Sequence, residues 1–533
     1  MARVAVASPR GHVVRVFLLA FLAYAYFMPR WADWNIDSRI DLVHAIVDHQ
    51  TLQIDRYHWN TWDKAVYGGH YYSDKAPGSA LLGALVYGAF KLVRSGPVLG
   101  DAIRGLESNS AWGVAIALGR TNTQLSPAPA GRILGGCQRA GLQANVQYIP
   151  WGNRLVRPER AWALSKYVIT VGVVALISAL FVAFFFWFLG VFGVSLAARW
   201  ILTGLYAFAT AAFPYSTVFY SHQLAAGFLF VAFALLFLRQ RGAVRAWAAP
   251  AAGFLLGFAL FTEYTVTLIV IALGLYAIWI LRANYRELGT VCLAGAVPIA
   301  GLLAYNYACF GGPLDTGYSH DFCWSAAQAA GYAGFTYPHL SALIDLTFTS
   351  YRGLFFMSPF LLLCIPGAVL MWKAGFRLES ALCTAVSILF ILVISAYWGW
   401  NGGQVEGPRY LVPIIPFLAL PIVFYLDRLR RISISWALVL AAGMWSLFAV
   451  CSELLGGLLF PSSWLTNPIF QYSLPALARN EIAPDAGLFF GLSGWQSLLP
   501  LIAGLLAIAL WPGRPRRRAV TDVRLVGGRE PAK

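Results

Sequence analysis

Hydrophobic residues in this chain come in long unbroken runs separated by short polar stretches. The runs lie near 13–29, 166–190, 197–213, 222–238, 246–262, 264–281, 288–306, 354–372, 379–397, 410–426, 434–451 and 492–511. Each approaches the ~20 residues that a helix needs to cross a bilayer, which predicts about twelve transmembrane helices. A further apolar stretch, 77–93, opens on Pro-Gly and is short and rich in Gly and Ala, so it is expected at the membrane interface rather than across it. Just after the first run the pattern changes. Ile36, Ile40, Val43 and Val47 recur at helical spacing, and Asp37, Asp41, His44 and Asp48 repeat that spacing one residue on. This predicts an amphipathic helix lying at the interface with its acids turned to water. The expected fold class is all-α: a polytopic integral membrane protein with two interfacial helices in a large first external loop.

Composition agrees with that picture. Of 533 residues 59% are hydrophobic and 12% charged, against roughly 25% charged in soluble proteins. The net charge of +16 does not point to nucleic acid, because the basic residues fall in short groups between apolar runs and serve to orient them. With the N-terminus inside, twelve spans put Arg199, Arg239, Arg241, Arg245, Arg282, Arg286, Lys373, Arg377, Arg428, Arg430 and Arg431 on the cytoplasmic side, together with Arg514, Arg516, Arg517 and Arg518 of the tail. Counting 77–93 as a span would move all of them outside. Arg154, Arg157, Arg160 and Lys166 run against the rule, since they fall outside beside the second span. The basic N-terminus and the apolar run after it look like a signal peptide, but no small-residue cleavage site follows, so a retained span is expected. The organisation read from the chain is an N-terminal transmembrane helix at 1–30, the first external loop at 31–95 and an external insertion at 96–165. A transmembrane bundle at 166–511 follows, with external loops 307–353, 398–409 and 452–491, and then a basic cytoplasmic tail at 512–533.

The candidate chemistry gathers in the first loop. Between Trp31 and Gly78 lie seven aspartates (33, 37, 41, 48, 55, 63 and 74) and four of the eight histidines (44, 49, 58 and 70). The histidine spacings of five, nine and twelve residues fit no standard ligand pattern. No cofactor is required by the sequence, and a divalent metal stays an open alternative. Cys292, Cys364 and Cys383 sit in apolar runs as core thiols, while Cys309 and Cys323 share a polar loop and could pair if it faces an oxidising compartment. Glu263 sits in a tight turn between two spans, where a charge is costly unless solvated or paired. Ser221-His222 lacks the context of a hydrolase nucleophile.

The loop also carries Asp37-Ser38-Arg39 at the start of the first helix and Ser73-Asp74-Lys75-Ala76-Pro77-Gly78 at the start of the second. Later stretches read FPYSTVFYSH (213–222), SYRGLFFMSP (350–359) and YWGWNGGQVEGPRYL (397–411). Together these resemble the GT-C superfamily of membrane glycosyltransferases, in the bacterial branch around protein O-mannosyltransferases and the lipid A aminoarabinose transferase. The resemblance implies a polyprenyl-phosphate-linked sugar donor, a lipid, glycan or protein acceptor, and inversion at the anomeric carbon. It also implies an active site on the extracytoplasmic face of a bacterial cytoplasmic membrane. A carboxylate would take the acceptor proton. Asp37 is the first choice, and Asp41 and Asp55 stay open because Asp37 and Arg39 are closer together than the family spacing. Arg39, Lys75, Asp74 and Arg409 would form the donor-phosphate site. Trp398, Trp400, Glu406, Tyr351 and Arg352 would line the sugar and acceptor side, with His320-Asp321 as a weaker candidate. A secondary transporter is the first rival, but its ionisable residues would be expected at mid-membrane. A lipid-linked glycan polymerase or ligase is the second, and only donor identity separates it.

Overall fold

The computed structural model describes residues 10–28, 33–116, 160–403, 405–429, 434–457 and 465–511. Most of the expected insertion, the basic tail, Arg154, Arg157, Arg430 and Arg431 lie outside the described residues. Each of the twelve apolar runs coincides with a helical segment. Seven described helices are long and apolar enough to cross a membrane: Arg160–Phe192, His222–Gln240, Tyr264–Leu281, Tyr285–Phe310, Arg377–Ser395, Arg409–Arg428 and Ile434–Gly456. Leu196–Phe208, Ala248–Thr262, Pro359–Lys373 and Gly494–Leu510 are shorter apolar helices, and α1 (Arg10–Tyr26) covers the first run. Leu275, Ile278, Leu293, Val297, Leu438 and Met444 are exposed on the long helices. Large apolar side chains exposed in that number on long apolar helices need something other than water against them.

Small residues let the closest helices touch. A Cβ at Gly253 would stand 2.1 Å from the Val291 carbonyl oxygen, and one at Gly257 would stand 2.2 Å from that of Gly295. The Ala248–Thr262 and Tyr285–Phe310 helices therefore meet backbone to backbone through small residues one turn apart. Elsewhere aromatic rings fill the core: Phe181, Phe185, Phe188, Phe233 and Phe417 all surround Phe230 at 5.4–5.8 Å between ring centroids.

The first loop holds α2 (Trp34–His49) and α3 (Gly78–Ser95), followed by α4 (Leu99–Ser108). α2 begins one turn before Asp37, because Asp33 caps it by accepting from the Asn35 and Ile36 amides at 2.8 and 3.2 Å. The described residues are mostly helical, as the all-α reading expects, with a small addition: an antiparallel hairpin, β1 (Lys64–Tyr67) paired with β2 (His70–Ser73), which turns on Gly68 and Gly69 at φ +59° and +84°. Aromatic and β-branched residues on either side of Gly-Gly are the pattern of such a hairpin. One expectation needs correction. The acids of α2 do not face water: Asn35 through Ala45 are all buried, Asp37 and Asp41 among them.

Candidate functional site

The polar stripe of α2 is buried because distant segments supply partners for it. Lys166, fully buried at the start of the Arg160–Phe192 helix, donates to Asp37 Oδ1 at 2.6 Å and lies over the Trp162 ring at 4.9 Å. Burial pushes the Asp37 carboxyl up from 3.8 to about 7, even against the pull of Lys166. One turn on, Asp41 accepts from Asn60 Nδ2 at 2.9 Å, while its Oδ2 has no hydrogen-bond partner. Burial, and then the negative Asp37, raise Asp41 well above the usual carboxylate range. Further along, Asp48 binds Lys91 of α3 at 2.6 Å, His44 at 3.0 Å and Tyr87 at 3.2 Å. Asp55 lies apart from these. It accepts from the Tyr71 amide and bonds His70 Nδ1, both at 2.7 Å, and its side chain is 39% exposed.

Arg39 ties the loop to the bundle. Its guanidinium donates to Asn35 Oδ1 at 3.2 Å, Ser79 Oγ at 3.0 Å, the Ala76 carbonyl at 3.4 Å and Ser221 Oγ at 2.9 Å, and it lies 3.8 Å from Glu263 Oε2. Its five donors are thus largely committed to the protein. Lys75 is held likewise, with Nζ 2.8 Å from Asp63 and 2.7 Å from Asp74 and 5.4 Å from the Tyr318 ring centre. Burial would lower Lys75, but Asp63 and Asp74 hold it well above its ordinary value. Asp74 also accepts from Ser38 Oγ at 3.2 Å. Gly78 permits the close seat of α3, since a Cβ there would stand 2.6 Å from Thr262 Oγ1. Nearby Asp321 accepts from the Cys323 and Trp324 amides at 2.9 and 2.6 Å, while burial and its neighbours Asp74 and Asp63 push it up to about 8. His320 bonds Asp315 instead, at 2.9 Å.

A second wall comes from four later segments. Tyr220 donates to Asp33 Oδ2 at 2.6 Å, joining the α2 cap to the FPYSTVFYSH stretch. The Arg409 guanidinium carbon lies 5.6 Å from the Tyr220 ring centre and 4.8 Å from that of Tyr410. Arg409 donates to the Tyr410 hydroxyl at 3.0 Å, and its Nε has no partner. Tyr215 donates to the Glu406 carbonyl at 2.7 Å. Buried Arg352 donates to the Gly403 and Gly407 carbonyls and lies over the Tyr351 ring at 4.7 Å, so it holds those two carbonyls together. Glu263 accepts from Ser221 and from Thr265 Oγ1 at 3.0 Å. Burial would raise Glu263, but His222, Arg39 and these hydroxyls bring it down to about 2. Trp398 lies 5.5 Å from Trp324, ring centre to ring centre, with the two rings tilted, and is 37% exposed, whereas Trp400 is packed against the core.

Asp37, Arg39 and Arg409 are therefore brought around one junction, with Lys75 and Asp74 beside it and Asp55 outside it. Lys166, Asp33, Tyr220 and His222 belong to the junction and were not singled out as site residues by the sequence reading. Lys166 carried a usable signal, being a lysine at the start of an apolar run where the charge rule did not want one. Cys309 is a free thiol, while Cys323 is disulfide-bonded, so the two do not pair with each other. Among the described residues no group of three or more His, Cys, Asp or Glu side chains is arranged to hold a metal ion. No protein-family model, curated protein or solved structure matches this chain.

Proposed function

We propose that this protein is an inverting glycosyltransferase of twelve membrane-spanning helices, acting on the extracytoplasmic face of a bacterial cytoplasmic membrane. It moves a sugar from a polyprenyl-phosphate donor to a lipid, glycan or protein acceptor. The observation that carries the reading is Asp37, a buried carboxylate paired to a single lysine. It lies one turn from the Asp33–Tyr220 bond that leads to Arg409. Burial brings its proton affinity near neutrality, where a general base works best. The acceptor oxygen attacks the anomeric carbon and its proton passes to Asp37. The bond from that carbon to the phosphate oxygen breaks on the opposite face, and its electron pair leaves with the phosphate. Lys166 keeps Asp37 ionised before the transfer, and Arg409 meets the charge that develops on the leaving group. Arg39, Lys75 and Asp74 shape the site from behind, since their polar atoms are already bound to one another and to the helices.

Purified full-length protein, incubated with a panel of polyprenyl-phosphate sugars and mixed acceptors, should release free polyprenyl phosphate from one donor. No release across the panel, with solute counterflow in proteoliposomes instead, would replace this reading with the transporter. Release only from diphosphate-linked donors would favour the polymerase or ligase. The side of the site is tested with an impermeant thiol reagent on cysteines placed at the exposed Ser95 and Ala283. Ser95→Cys should react from outside and Ala283→Cys only after the membrane is opened.

A further inference from the structure

His222 is 2% exposed, and neither of its ring nitrogens has a hydrogen-bond partner. A buried polar group left in that state calls for an explanation. Its nearest charged neighbour is Glu263, with Oε2 3.4 Å from Nδ1, and Glu263 is already bound to Ser221 and Thr265. The ring lies 6.0 Å from Tyr220 and 5.4 Å from Tyr410, the same two rings that flank Arg409. Arg409 Nε is also without a partner. His222 is the first residue of a 19-residue helix whose preceding residue, Ser221, makes no side-chain cap. The Ser221 hydroxyl goes to Glu263 instead, so the positive end of that helix has no side-chain oxygen from its cap residue.

We infer that His222, Arg409 and the first turn of the His222–Gln240 helix together form the seat of a phosphate ester, with His222 as a binding residue for the donor's phosphate. The identity of the anion rests on the transferase reading above, but its charge does not. Three sets of donors serve the two non-bridging oxygens of the donor's phosphodiester and the third oxygen that transfer frees on the departing polyprenyl phosphate, and a helix N-terminus is a ready site for such an anion. Glu263 faces Nδ1, which leaves Nε2 for the ligand, and in the complex Nε2–H donates to the anion. The donors of Arg39 and Lys75 are committed to the protein.

The test is binding of farnesyl phosphate to the full-length protein in detergent, with farnesol as the uncharged control. His222→Ala and Arg409→Gln should each weaken farnesyl phosphate about tenfold or more, leave farnesol binding unchanged and keep a cooperative thermal transition. Undiminished farnesyl phosphate binding by His222→Ala would overturn the seat. Where a variant does not fold, the wild-type complex decides by cryo-electron microscopy. Phosphate density against His222 and Arg409 supports the inference, and density seated on Lys75 and Arg39 overturns it. Farnesyl phosphate binding that depends on His222, without sugar transfer from any donor, would keep the seat and remove the transferase reading. Sugar transfer indifferent to His222 would do the reverse.

Discussion

Asp37 and Asp55 belong to the same acidic loop, yet the fold treats them in opposite ways. Asp55 is half in water, where it binds His70 and the Tyr71 amide at the start of β2. Asp37 is 1% exposed and faces one lysine. Water screens whatever charge Asp55 carries, so losing it disturbs little. Asp37 has no such screen. Its charge survives only because Lys166 stands 2.6 Å away, and burial lifts its pKa to about 7. The acidity of a loop therefore says little about which acid does chemistry; what arrives from the rest of the chain to meet each carboxylate decides that.

The largest effect expected from this contrast is on turnover. Asp37→Asn removes the proton acceptor at nearly constant shape and should slow sugar transfer ~10²–10⁴-fold with donor binding kept. Asp55→Asn should stay within about threefold of wild type, as expected for a surface group. Equal losses in the two variants, measured with saturating donor, would erase the distinction. Next comes Lys166→Met, which strands a buried carboxylate. It should lower stability by about 3–5 kcal/mol in thermal unfolding in detergent, and Asp37→Asn in the same chain should recover much of that. Arg39→Lys keeps the charge but loses the fork that reaches Ser79, Ser221 and Asn35, at an expected cost of about 1.5–3 kcal/mol. The smallest change is expected from Lys91→Ala. Lys91 is 44% exposed in its pair with Asp48, so its loss should stay under about 1 kcal/mol.

How far the chain could be read from its sequence follows the same line. Apolar runs became helices where length and periodicity placed them, and α3 starts where Lys-Ala-Pro-Gly said it would, at Gly78. These features are local, and local patterns fix them. The direction of the α2 polar stripe is not local. Asp37, Asp41 and His44 look like a wetted face until Lys166, Asn60 and Ser165 are brought against them from elsewhere in the chain. The partners of Arg39 and Lys75 are not legible in the sequence for the same reason, because they come from the 221 hydroxyl, the 263 turn and Asp63. The hairpin is different. Its Gly68-Gly69 turn is local and legible, between short aromatic and β-branched stretches.

The raised Asp37 pKa also fixes a sign. A carboxyl whose folded pKa lies above its ordinary 3.8 favours the fold while protonated, so that contribution is present at acid pH and is lost as pH rises through about 7. Catalysis runs the other way, because the base must be ionised to accept a proton. The most direct test is therefore the single-turnover rate of polyprenyl-phosphate sugar consumption by the wild-type protein, followed from about pH 5 to about pH 9. The rate should climb with one inflection near 7, and that inflection should disappear in Asp37→Asn. A rate flat across that range, or an inflection that persists unchanged in Asp37→Asn, would remove Asp37 as the base.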